Sequence, residues 1–101
     1  MLRGQARRDV TSIAQFLIRE AGAATAGTFV ASLDRALSQI ADNPEIGSPR
    51  WGQLLLVKGL RTWPVKGFSY TIFYQDQRGG PTIARILHSS RDIPAQLRDP
   101  G

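Results

Sequence analysis

Apolar residues recur through the N-terminal part of the chain with a helical period. Ala6, Val10, Ile13, Ala14, Leu17 and Ala21 fall on one stripe, with Arg7, Arg8, Gln15 and Arg19 outside it, and this spacing predicts an amphipathic helix that closes near Gly22. From about Thr25 the pattern repeats more strongly through Ala26, Phe29, Val30, Leu33, Ala36, Leu37 and Ile40. Asn43-Pro44 ends this second helix of about five turns, because a residue before proline is driven out of the helical region. Only Gly22 to Ala24 separate the two, so they should form an antiparallel hairpin whose stripes face a common core.

After Pro44 the period changes. Pro44 to Pro49 reads as a loop, and Leu54–Val57 and Leu60–Val65 are short strand candidates separated by Lys58-Gly59. Pro64 cannot donate to a ladder, so the second of these belongs at an edge or a bulge. Phe68–Gln75 is rich in aromatic and β-branched residues, Gln77-Arg78-Gly79-Gly80 has turn chemistry, and Thr82–His88 follows as the hairpin partner. Both long strands are apolar on both alternating faces, which predicts central positions covered on two sides. Ile93–Arg98 is a last short helix, with Pro94 tolerated in its first turn. The whole is an α+β fold: an N-terminal helical hairpin on a small antiparallel sheet of three or four strands.

At 101 residues the chain is sized for a single domain, 1–101, with one core. Hydrophobic residues at 42% and charged residues at 21% match a globular average and argue against global disorder. No apolar run approaches the roughly 20 residues that span a bilayer, and the basic segment Met1–Arg8 leads into an amphipathic stretch rather than a secretory core. A cytoplasmic location is therefore expected. Without cysteine there is no disulfide framework, thiolate nucleophile or zinc–thiolate site, and a single histidine excludes the two-histidine metal motifs, so no metal or cofactor is expected. The net charge of +5 is uneven: six Arg face five acids in residues 1–50, whereas seven Lys or Arg face three Asp in 51–101. The cationic C-terminal half favours nucleic acid or an acidic protein surface as partner, without choosing between them.

The stretch Arg85-Ile86-Leu87-His88-Ser89-Ser90-Arg91 puts the only histidine between two arginines at the end of an apolar strand. A polar cluster held by a buried strand is well positioned, so Arg85, His88 and Arg91 are candidates for a shaped cationic patch, against the plainer reading of a solvated strand end. For nuclease chemistry His88 would move the proton, since imidazoles exchange protons near neutrality, while Arg61, Arg85 and Arg91 would hold the phosphate. That set lacks a second proton-transfer group. Glu45 is the one carboxylate in the loop after the helices that might serve, and it reads more simply as a solvated turn residue. Phe16, Phe29, Phe68, Phe73 and Tyr70 sit in periodic segments and are expected in the core, whereas Trp51 and Trp63 are half-buried residues or partner anchors.

The order of helix, helix, Asn43-Pro44-Glu45-Ile46-Gly47, Leu60-Arg61, Tyr70-Thr71-Ile72-Phe73-Tyr74 and Ile86-Leu87-His88-Ser89-Ser90-Arg91-Asp92-Ile93 resembles the RelE/ParE toxins of bacterial toxin–antitoxin systems, and most of all their ParE branch. The resemblance runs from residue 6 to residue 97. It implies a helical hairpin on a small antiparallel sheet and a toxin of a type II system that binds and inhibits DNA gyrase. It also implies a cognate antitoxin as partner and no cofactor. Under that reading no catalytic residue is required, and Arg61, Arg85, His88 and Arg91 form a binding patch. RelE-type members instead cut messenger RNA on the ribosome, which here would fall to His88, Arg85 and Arg61. The C-terminal tyrosine and lysine-rich helix of many ribosome-dependent members have no counterpart, which favours ParE. An inactive toxin-like binding module is the third possibility. The family usually opens with a β-strand, but only Met1–Gln5 precede Ala6, so that strand is expected to be missing or vestigial, leaving an edge for something else to cover.

Overall fold

The structure, a computed structural model, describes residues 2–98. Helix α1 (Gly4–Ala21) and helix α2 (Ala23–Asp42) form the expected hairpin. Gly22 joins them at φ +94°, a left-handed setting that glycine takes without penalty. Its N–H closes α1 on the Ile18 carbonyl and its own carbonyl accepts from Ala26 to start α2. Helix α3 (Arg50–Leu55) follows, then strands β1 (Leu60–Pro64), β2 (Tyr70–Gln77) and β3 (Gly80–His88), and a last helix α4 (Ile93–Arg98). The strands form one antiparallel sheet in the order β1-β2-β3.

Alternation along β2 divides the interior in two. Tyr70, Ile72 and Tyr74 join Ala6, Ile13, Phe29, Leu33, Ala36 and Ile40 of the hairpin in one buried cluster. Phe73 points the other way, into a smaller cluster with Leu60, Leu87 and Ile93, against which Trp51, Leu55 and Leu97 pack. The sheet is thus covered on both faces, by α1–α2 on one and by α3 and α4 on the other, as its continuous apolar runs require. Phe29 is the hub of the larger cluster, with Phe68 and Tyr70 edge-on at 5.3 and 5.5 Å.

Three expectations need correction. Leu54–Val57 is not a strand: Leu54 and Leu55 end α3 and Leu56 turns left-handed at φ 57°. A short apolar run fits either element, and here the four-residue spacing of Trp51 and Leu55, both packed on Phe73's cluster, decides for helix. Strand β3 is not central. Its inner ladder goes to β2, and its outer side meets helices and the N-terminal residues, which explains how an edge strand can be apolar on both faces. Phe16 is not core, being 37% exposed. The leading strand is vestigial, as expected: Leu2 forms a single parallel bridge to Ile83, with Arg3 N–H donating to the Ile83 carbonyl at 3.0 Å. Pro64 lies on edge strand β1, where its missing N–H costs no ladder bond.

Candidate functional site

The outer edge of β3 is where the candidate residues collect. An edge strand presents unpaired amides and carbonyls, and here side chains satisfy several of them. Asp9, on α1, accepts the Ile86 N–H on Oδ2 at 2.9 Å. Gln96, on α4, mimics a strand partner: its Oε1 accepts from His88 N–H at 3.0 Å and its Nε2 donates to the His88 carbonyl at 3.0 Å. Asp92 holds α4 in place for this, its side chain accepting from Ala95 N–H at 3.3 Å and its carbonyl from Gln96 N–H at 3.0 Å.

Arg85 is tied into this edge. Its Nε donates to Asp9 Oδ2 at 2.8 Å and its Nη2 to Asp9 Oδ1 at 3.1 Å, a two-pronged pair. A third bond runs from Nη1 to the Gln96 carbonyl at 3.1 Å. Its guanidinium therefore joins α1, β3 and α4.

His88 sits at the end of β3 with its ring edge-on to Tyr70 at 5.2 Å. Its Nδ1 accepts from Ser90 N–H at 3.2 Å, which leaves Nε2 as the protonated nitrogen of the neutral ring. Arg91 is exposed, with its N–H donating to the His88 carbonyl at 3.3 Å. Burial pushes the Tyr70 hydroxyl above its ordinary value of 10.0, and the nearby positive charge of Arg91 partly offsets this. Together with Asp9, Phe16 and Arg85, these residues line a cavity of about 280 Å³ between α1, β3 and α4. It offers aromatic edges and one exposed cation to a partner's side chain or anionic group.

The structure brings Arg85, His88 and Arg91 together and leaves Arg61 apart. Arg61 lies on β1, at the opposite side of the sheet, where its Nη1 donates to the Gly47 carbonyl at 2.7 Å and the Glu45 carbonyl at 3.3 Å. That same loop is clamped from within by Tyr74, whose hydroxyl donates to the Pro44 carbonyl at 2.6 Å and accepts from Gly47 N–H at 2.9 Å. The Asn-Pro-Glu-Ile-Gly stretch is therefore a structural clamp. Glu45 is exposed and its N–H donates to Asn43 Oδ1 at 3.3 Å, the geometry of a turn residue. Trp51 packs on Phe73 at 6.4 Å, and Trp63 donates from Nε1 to Gln39 Oε1 at 3.0 Å. Both indoles are half-buried.

The sequence reading did not find Asp9, Gln96 or the contribution of Phe16 and Tyr70 to the cavity. Asp9 carried a usable signal. It lies three residues after Ala6 and four before Ile13, so it is a carboxylate inside the apolar stripe, which demands a buried partner.

The model of the ParE toxin family, the toxin of the type II toxin–antitoxin system parDE, matches residues 1–93. The chain belongs to the ParE toxin family. Among solved structures, a chain of the chromosomal ParDE toxin–antitoxin system from P. aeruginosa is similar at a TM-score of 0.72 and 18% identity, covering 86% of this chain and 90% of that one. At that identity the likeness speaks for the fold. No curated protein matches by sequence. Among the described residues, no helix is long and apolar enough to cross a membrane and no group of three potential metal ligands is assembled.

Proposed function

We propose that this ParE-family chain is the toxin of a type II pair that inhibits DNA gyrase by binding it, acts in the cytoplasm where its target is, and is neutralised by a cognate antitoxin. The observation that favours binding over cleavage is the disposition of the arginines. Arg85, the residue best placed to hold a scissile phosphate beside His88, has its charge paired with the part-buried Asp9 carboxylate, and Arg61 is spent on loop carbonyls across the sheet. Release of Arg85 to a substrate would leave the part-buried Asp9 without its counter-charge, with only the Ile86 amide to hold it. The exposed Arg91, with His88, Tyr70 and Phe16 around the cavity, forms the contact patch, and the cationic C-terminal half favours an acidic surface.

Purified protein assayed in parallel for gyrase supercoiling and for cleavage of ribosome-bound message tests this. Gyrase inhibition without message cleavage is the expected result. Message cleavage that His88→Gln abolishes, with gyrase untouched at micromolar toxin, would overturn the proposal in favour of the endoribonuclease reading.

A further inference from the structure

Helix α1 presents to solvent a face that nothing in the fold uses. Arg8, Ser12, Gln15 and Arg19 follow one another at intervals of four, three and four residues, which sets them in one exposed row about 16 Å long. Arg7 and Thr11 flank the row, and with Arg8 and Ser12 they line a shallow notch of about 280 Å³. The charge here is uncompensated. Residues 2–19 hold four arginines, at 3, 7, 8 and 19, against a single acid, Asp9. Asp9 is turned to β3 and paired with Arg85, and among the described residues none of the four arginines has an ion-pair partner. A solvated helix ordinarily sets acids three or four residues from its bases, whereas Arg7, Arg8 and Arg19 meet Thr11, Ser12 and Gln15 at that spacing. Arg8 is steadied by Gln5, whose Oε1 accepts from its Nη2 at 2.7 Å.

The chemistry of the row selects its occupant. Guanidinium groups with hydroxyl and amide side chains between them are the donor set that contacts phosphate oxygens, and protein–DNA interfaces are more polar and far more positive than those between proteins. A protein partner would need an interface core poor in charge, and no apolar side chain stands in this row. A single strand would need rings on which to stack its bases, and the row has none, the exposed ring of Phe16 lying in the neighbouring cavity instead. Duplex phosphates match the donors and need neither.

We propose that the outer face of α1 binds the phosphate backbone of duplex DNA without reading its sequence. Ser12 borders both the notch and the Tyr70–His88–Arg91 cavity, so DNA held on α1 runs beside the patch assigned above to the target. The proposal goes beyond the gyrase reading, giving the toxin its own hold on the substrate of the enzyme it inhibits under that reading, and it is tested without gyrase.

The test measures binding of the full-length toxin to short fluorescent duplexes by anisotropy between about 50 and 200 mM salt, with thermal unfolding and gyrase supercoiling followed separately for each variant. Wild-type toxin should bind two duplexes of unrelated sequence alike, with log affinity falling against log salt at a slope of about −3, near −0.9 for each of about three phosphates neutralised. Arg7→Gln/Arg8→Gln should weaken binding at least about tenfold and flatten the slope by about 2. Arg50→Gln, which removes an exposed charge from α3 on the other face of the sheet, should change affinity by less than about twofold. All these side chains are exposed, so the melting temperatures should hold. No binding by the folded wild type at the lowest salt, equal losses per removed charge from Arg50→Gln and the double variant, or tighter binding to single-stranded DNA or duplex RNA would each overturn the proposal. So would duplex affinity that survives Arg7→Gln/Arg8→Gln while gyrase inhibition is lost, which would assign the row to the target protein. A toxin that holds duplex DNA as expected yet leaves supercoiling untouched would overturn the gyrase reading alone.

Discussion

Asp9 and Arg85, 76 residues apart, form a largely but not fully buried ion pair at 2.8 Å, with side chains 10% and 13% exposed. The Asp9 carboxylate also holds the Ile86 amide, so it fastens α1 to β3 where a fourth strand would otherwise pair. Removing one member strands the other charge, which costs about 3–5 kcal/mol in a fully buried pair and less in this part-buried one. Asp9→Ala should therefore lower the urea midpoint severely, and adding Arg85→Met should recover much of the loss. A double variant no more stable than Asp9→Ala would mean that the packing of Asp9, and not charge pairing, carries the effect.

The clamp between Tyr74 and Gly47 gives a second expectation. At Gly47 a Cβ would lie 2.5 Å from the Tyr74 hydroxyl and 2.7 Å from the Thr62 carbonyl, neither of which can give way easily. Gly47→Ala should destabilise by about 1–3 kcal/mol through overpacking. Gly27→Ala is the matching control: this α2 position has nothing within 4 Å of a new Cβ, so the change should stabilise by about 0.5–1 kcal/mol. Equal effects at the two sites in chemical denaturation would contradict the clamp.

Tyr74 also sets an alkaline limit. Burial raises its hydroxyl above the ordinary 10.0, opposed by the Gly47 hydrogen bond and the Arg61 charge, and Tyr70 is raised by burial as well. The folded state thus keeps these protons longer than the unfolded chain. Their contribution is fully present below about pH 10 and is lost as pH climbs through the higher folded values. Stability measured from pH 9 upward should fall more steeply in the wild type than in Tyr74→Phe. At neutral pH that variant should cost about 1–3 kcal/mol, because the Gly47 amide and Pro44 carbonyl lose their partner.

Much of this architecture is legible from periodicity, and the limits of that legibility have physical causes. Leu33 illustrates the readable part: it lies mid-stripe in α2 and is 3% exposed in the larger cluster. Leu33→Ala should cost about 2–4 kcal/mol, read as a lowered denaturation midpoint. The Leu54–Val57 run was unreadable because four apolar residues fit helix and strand equally, and tertiary packing of Trp51 and Leu55 made the choice. Phe16 sits in a periodic segment but off the apolar stripe of α1, and it ends at the cavity rim. Sequence proximity grouped Arg85, His88 and Arg91, and the three line one cavity. It could not show that Arg61 serves the loop clamp, or that Arg85 is neutralised from a residue so distant in sequence.

That division between structural and exposed arginines yields the sharpest expectation for function. Arg85→Ala removes a buried tie among α1, β3 and α4, so it should lower the denaturation midpoint, and any loss of gyrase inhibition should track the fraction unfolded. Arg91→Ala removes an exposed cation and should leave the midpoint within about 0.5 kcal/mol of wild type. If the toxin works by binding through this patch, Arg91→Ala should nevertheless weaken gyrase inhibition, and more so at low salt, where a long-range charge contributes most. His88→Gln keeps a polar side chain of similar size and removes only the imidazole's proton exchange, so inhibition should change by no more than a few fold. Loss of a general acid or base would instead cost about 10² to 10⁴ in rate. Supercoiling assays on folded, concentration-matched variants separate the cases: a wild-type response from Arg91→Ala would remove this edge from the target interface, and a collapse confined to His88→Gln would point to proton transfer.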